Sequence, residues 1–209
     1  LSAVLYLLTC KYITGFIIFL VNLFFEAAFF LNPDCRLIFQ ELKYGLSFAI
    51  YVTIILKVRY YDDVVKSGRY SEYGLFTDVS QKWYELSGKS IGIIGLGNIG
   101  KKVAEIAKAF GCKVIFHSIT GKSICTDYPQ VDKDTLLAES DFLSLHCPLS
   151  ELSRNFIDRE ALKKMKNSAI LINVARGKVA NNKDLYEALV AGEIQAAGLD
   201  VGEEEPLEL

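Results

Sequence analysis

From Ser90 onward the chain alternates between two hydrophobic rhythms. Ser90–Ile94 and Lys113–His117 are short, β-branched apolar runs of strand length. Between them Ile99, Val103, Ile106 and Phe110 fall at i, i+4, i+7 and i+11, which predicts one helix with a single apolar stripe. Gly111 is placed to end that helix, because glycine takes the left-handed cap conformation without a Cβ clash. The rhythm then repeats. Asp134 to Ser140 predicts a short helix and Asp141 to His146 a buried strand. Arg159 to Lys166 reads as a helix capped by Asp158, followed by a strand from Ser168 to Val174. Asn181 or Asn182 caps a helix around Leu185 to Val190, Gly192 ends it, and Gln195 to Val201 is the last strand. Strands alternating with helices predict an α/β fold with a parallel sheet covered on both faces.

Upstream the pattern changes. Leu46 to Lys57 is apolar and helix-compatible. Asp62, Asp63, Lys66 and Arg69 make the next stretch a solvated one, and Gly68, Ser71 and Gly74 mark a loop. Trp83, Tyr84 and Leu86 then lead into the first strand. Ile13 to Leu31 carries only Asn22 and Glu26 as strongly polar residues, close to the ~20 apolar residues that span a bilayer. Glu26 inside it costs about 2.5–3.5 kcal/mol, if it behaves like Asp on insertion scales. Three readings fit this run: a membrane helix, a core-facing segment, or a stretch foreign to the fold, such as a misread exon. The organisation expected is therefore an apolar segment over 1–45, a linking helix and loop over 46–82, and the main domain over 83–209.

Composition narrows the partners. The 209 residues are 51% hydrophobic with a formal net charge of -2, which gives no basic footprint for nucleic acid. Five cysteines without a C-x-x-C pair, and two histidines, argue against zinc and for a reduced cytoplasmic setting. The chain begins at Leu1 and its one methionine is Met165, so truncation at both ends is expected.

The candidate chemistry starts at Gly95, Gly97 and Gly100, spaced G-x-G-x-x-G directly after a strand and at the opening of a helix. Gly95 permits the sharp exit, Gly97 lets a pyrophosphate approach the backbone, and Gly100 lets the helix sit against the strand. The free amides and the positive dipole end of that helix then face the phosphates. In a strand–helix–strand frame this predicts dinucleotide binding. Two more clusters lie where parallel strands end, the edge at which such sheets bind ligands. Arg176, followed by Gly177, is placed to grip a carboxylate through two parallel N–H bonds. Asp200 ends the last strand, ahead of the acidic run Glu203, Glu204 and Glu205.

Four ordered stretches, GKSIGIIGLGNIGKKVAEIAKAFG, SDFLSLHCPLSE, MKNSAILINVARG and AGLDVGEEEPL, make the chain resemble the D-isomer-specific 2-hydroxyacid dehydrogenases from Leu46 to Leu207. Residues 1 to 45 do not share the likeness. The resemblance implies a Rossmann-type, doubly wound parallel sheet, incomplete here. It also implies reversible hydride transfer between NAD or NADP and a 2-oxo acid. Arg176 would bind the substrate carboxylate and polarise the 2-oxo group. Glu205 would pair with a catalytic histidine that acts as the general acid. Asn98 and Ile99 would sit at the pyrophosphate, while Cys147, Pro148, Val174, Ala175 and Asp200 would line the cofactor cleft. A homodimer formed near the linking helix is the implied assembly.

Two departures from the family pattern follow. The family's histidine lies one strand beyond the glutamate, past Leu209, and His146 belongs to the cofactor-side motif instead. These residues alone are therefore expected to turn over substrate poorly. At the end of the second strand, where an NAD site places a carboxylate for the ribose 2′-hydroxyl, the chain has Ser118. Ser118, Thr120 and Lys122 leave NADP open, with NAD the first expectation.

Overall fold

The computed structural model describes residues 35–72, 78, 80, 84–123 and 125–203, with side chains from Lys43 onward. The apolar run Ile13 to Leu31 and the glutamates Glu204 and Glu205 lie outside the described residues. Among those described, no helix is long and apolar enough to cross a membrane.

Among the described residues three helices come first: α1 (Cys35–Ile55), α2 (Val58–Lys66) and the single turn α3 (Arg69–Glu72). α1 begins well before Leu46, so the expected joint between residues 45 and 46 falls inside one continuous helix. It stops where Lys57 takes a left-handed conformation (φ 49), which redirects the chain into α2. Gly68 makes the next turn (φ 77), but Ser71, expected in a loop, belongs to α3. The solvated stretch is one: Lys66 pairs with Asp62 at 2.7 Å on an exposed helix face.

The strand–helix alternation follows: β1 (Ser90–Ile94), α4 (Asn98–Ala109), β2 (Lys113–His117), α5 (Lys133–Glu139), β3 (Phe142–Leu145), α6 (Arg159–Lys164), β4 (Ile170–Asn173), a 3-10 turn (Gly177–Val179), α7 (Asn182–Val190) and β5 (Ala196–Leu199). All the strand pairs are parallel, in the order β2-β1-β3-β4-β5. The chain leaves β1 for β2 on one side and returns to β3 on the other. The order therefore reverses between β1 and β3, which opens a crevice at their carboxyl ends.

The two faces of the sheet carry separate cores. Ile91, Ile93, Phe142, Ile170 and Ile172 point to one face and meet Tyr51 and Ile54 of α1 and Val103 and Ala104 of α4. Ile94, Leu143, Leu145 and Leu171 point to the other and meet Leu136, Leu162 and Leu185 of α5, α6 and α7. α1 lies across β4 and β5, where a Cβ on Gly198 would collide with Ile50. Helix α4 is rotated from its expected phase. Gly100, Val103, Ala104 and Ala107 are buried, whereas Phe110 is 51% exposed and instead contacts Phe48 of α1 at 4.7 Å between ring centroids. Small residues set this face because they let α4 approach the sheet more closely than its large residues allow. Gly111 does close the helix, with φ 79.

Candidate active site

The described site candidates gather along the carboxyl edge of the sheet. Gly95–Gly97 follow β1, Ser118 follows β2, and Cys147 and Pro148 come just after β3. Val174–Arg176 follow β4, and Asp200 follows β5. At the centre Gly95 has φ 91, and a Cβ there would stand 2.9 Å from the backbone of His146, so only glycine lets β1 leave beside the β3 exit. A Cβ on Gly100 would collide with the Gly95 carbonyl. By contrast, a Cβ on Gly97 would meet nothing within 4 Å, so its backbone borders open space.

That space lies against an uncapped helix. α5, α6 and α7 each begin with a side chain that accepts a first-turn N–H: Asp132, Asp158 and Asn181. The residue before α4 is Gly97, which offers no side chain, so the Asn98, Ile99 and Gly100 amides have no such acceptor. With the positive end of the dipole added, the turn fits a pyrophosphate.

At the β2 end of this edge Ser118 is only 6% exposed, and its hydroxyl accepts from the Ser123 N–H at 3.2 Å. That bond closes the turn from 118 to 123. The exposed residues of this turn are Thr120, Gly121 and Lys122. His117 beside it contacts the Val131 carbonyl through Nδ1 at 3.0 Å and stacks on Phe156.

At the other end Asn173, 1% exposed, brackets the turn that carries Arg176. Its Oδ1 accepts from the Ala175 N–H at 3.1 Å, and its Nδ2 donates to the Arg176 carbonyl at 3.0 Å. Val174 and Ala175 are buried under that turn, and the Arg176 side chain is exposed, with Nη1 donating to the Ala175 carbonyl at 2.7 Å. The Asp200 N–H donates to the Asn173 carbonyl at 3.0 Å, which ties the β5 exit to the same strand end. Lys43 of α1 reaches this edge too, donating to the Val174 carbonyl at 3.1 Å. His146 is held through Nε2 by the Ser144 hydroxyl at 2.8 Å. Burial, helped by the Lys43 ammonium, lowers its pKa to about 4, so the ring is neutral near pH 7. Burial also raises the Cys147 thiol to about 11. Among the described residues no group of His, Cys, Asp or Glu is arranged to hold a metal ion.

Residues 48–209 match the family model described as D-isomer specific 2-hydroxyacid dehydrogenase, NAD binding domain. The chain belongs to this family. Among its relatives, a hydroxypyruvate reductase from Thermotoga maritima is 45% identical over 142 residues, which is 68% of this chain and 44% of that protein. A glyoxylate reductase from Thermococcus litoralis is 44% identical over 168 residues, or 77% of this chain and 50% of that protein. The crystal structure of a D-lactate dehydrogenase from Aquifex aeolicus, complexed with NAD and lactic acid, matches with a TM-score of 0.73 at 33% identity. The match covers 79% of this chain and 49% of that one. The chain thus spans about half the length of the curated relatives it matches.

Three contributors to this edge had no role of their own in the motifs. Asn173 carried a signal, a polar residue closing a wholly apolar strand. Lys43 had none, since the four motifs begin after it. The likeness itself reaches further back than expected, because a glyoxylate reductase from Pyrococcus horikoshii, 41% identical, matches over 84% of this chain. Glu203 looked like one more solvated acid, but its carboxylate accepts from the Asn182 N–H at 2.8 Å.

Proposed function

We propose that the chain is the cofactor half of an NAD(P)-dependent reductase of a small 2-oxo acid. The observation that carries this reading is the shared edge, where the uncapped start of α4 and the Arg176 turn flank one crevice. The dihydronicotinamide supplies the hydride that reduces C2. Arg176 grips the substrate carboxylate and polarises the 2-oxo group. A proton then goes to the oxo oxygen and the product is a 2-hydroxy acid. Glu205 would hold the donor histidine protonated.

The donor is not found in these residues. His146 is neutral above about pH 4 and spends Nε2 on Ser144, and His117 is the last residue of β2, at the proposed adenosine end. This favours the second reading, a dinucleotide-binding module without turnover, for the 209 residues taken alone. A general acid contributes about 10²–10⁴-fold in rate, so its loss leaves binding without useful catalysis.

Names of the relatives support glyoxylate or hydroxypyruvate as substrates to try first. We take NAD as the cofactor, with NADP the alternative that the missing carboxylate after β2 keeps in play. The setting proposed is the cytoplasm. Exposed Leu56, Val58 and Val65 around α2 support a homodimer contact there. The experiment is a fluorescence titration with NADH and NADPH, joined to a 340 nm assay with both acids. Binding without turnover is expected. Turnover at ordinary dehydrogenase rates would overturn the requirement for an outside donor. A tenfold preference for NADPH, about 1.4 kcal/mol, would reassign the cofactor.

A further inference from the structure

The chain leaving β5 is fastened to the chain leaving β4 at three successive points. The Asp200 N–H donates to the Asn173 carbonyl at 3.0 Å. Gly202 then lies directly on Gly177, the residue after Arg176, so closely that any Cβ at 177 would overlap the Gly202 carbonyl. Next, the Glu203 carboxylate accepts from the Asn182 N–H at 2.8 Å. Asn182 is the first residue of α7, whose start is already capped by Asn181, so Glu203 is a second acceptor brought from another loop. A carboxylate at this helix end is favoured by the dipole as well as by the bond.

We infer that Glu203 and Gly177 are positioning residues for the nicotinamide half of the cleft. The inference rests on the dinucleotide reading above. In a doubly wound sheet the first strand–helix–strand unit takes one mononucleotide, and the strands across the crevice take the other. β1, α4 and β2 with the uncapped turn are the adenosine and pyrophosphate half, which leaves the exits of β4 and β5 for the nicotinamide. Those two exits are what the clasp joins. It fixes the height of one loop over the other, and with it the surface formed by Val174, Ala175 and the Arg176 turn. It also sets the start of the segment that leads, two residues on, to Glu205.

The test compares NADH with ADP-ribose, which is NAD without the nicotinamide, on the wild-type chain and on Glu203→Ala, Glu203→Gln and Gly177→Ala. Thermal midpoints and the exchange rate of the Asn182 amide are measured alongside. Glu203→Ala is expected to weaken NADH about tenfold while changing ADP-ribose less than about twofold, and to speed exchange at Asn182. Glu203→Gln keeps an acceptor oxygen and is expected to restore most of the NADH affinity. Gly177→Ala is expected to act in the same direction as Glu203→Ala and further. Equal losses for the two ligands would mean a purely structural role and would overturn the inference, as would a Gln variant no better than Ala or unchanged Asn182 exchange. If the wild-type chain binds ADP-ribose as tightly as NADH, the inference fails while the dinucleotide reading stands. If it binds neither, both fall.

Discussion

Replacing Asn173 with alanine tests the claim that one buried amide shapes the Arg176 turn. The substitution deletes two bonds: that from the Ala175 N–H at 3.1 Å and that to the Arg176 carbonyl at 3.0 Å. Their losses are unequal. Ala175 is 8% exposed, so its N–H is left with no acceptor and little water, a cost of about 1–3 kcal/mol. The Arg176 carbonyl keeps the Val179 N–H at 3.1 Å, so it is not left without a partner and that loss is nearer the ~1 kcal/mol of an ordinary bond. The sum is about 2–4 kcal/mol, a sizeable part of the 5–15 kcal/mol typical of a domain. For a chain of this length it corresponds to a fall of roughly 5–15 °C in the unfolding midpoint. Urea unfolding followed by circular dichroism measures it. The control is Asn167→Ala, which removes an exposed 3.3 Å bond to the Gly192 carbonyl and is expected to cost less than about 0.5 kcal/mol. If Asn173→Ala were no more costly than this control, the turn would be held by its packing, and the account of Asn173 would be wrong.

Acid should weaken the fold first through His146. The unfolded chain takes that proton near pH 6.5 and the folded chain only near 4, so between those values the unfolded state binds more protons and stability falls with pH. Between pH 7 and pH 5 the loss is roughly 2 kcal/mol, and urea midpoints of His146→Gln should show a correspondingly flatter pH profile. At lower pH Asp141 takes over. Burial raises its pKa, but the Ser90 N–H and the Lys166 ammonium outweigh that and hold the carboxyl below its usual value. Its contribution is therefore present above about pH 4 and lost as pH falls through the lowered folded value; Lys166→Ala should shrink this acid limb, as a midpoint series from pH 5 to 2 would reveal. Gly100→Ala forces α4 away from the Gly95 carbonyl and should weaken NADH more than about tenfold by fluorescence titration; an unchanged affinity would mean that the helix start does not carry the phosphates.

β1 and β2 could be read from sequence to the residue, because a β-branched run between glycines leaves little choice of boundary. The phase of α4 could not. Periodicity gives weight to Ile99, Ile106 and Phe110, whereas close packing here selects Gly100, Ala104 and Ala107, and no pattern of large residues announces that preference. The start of α1 was missed although Asn32, Pro33 and Asp34 stand directly before Cys35, because the joint was set at Leu46, where the motifs of the family begin. Candidates at strand ends were legible because a parallel sheet dictates which edge faces a ligand. Ser118 was placed correctly along the chain, but its inward rotation depends on the Ser123 amide, a contact that spacing does not encode. The Glu203 bond to Asn182 joins residues 21 positions apart and becomes visible only once the sheet has brought the two loops together.

The way α1 lies against β4 and β5 bears on how this unit can be exchanged between proteins. Tyr51 meets Phe142 edge-on at 5.1 Å, and Ile50 fills the space that Gly198 leaves. The helix is thus a wall of the nucleotide-binding module, although in sequence it precedes the first strand by more than a loop's length. A chimera joined near Ser87, at the visible start of the alternation, would bare β4 and β5 on the face that α1 shares with α4, and would expose the apolar residues there to water. The transferable module includes α1, and its joint belongs upstream of Lys43, whose bond to the Val174 carbonyl travels with the helix.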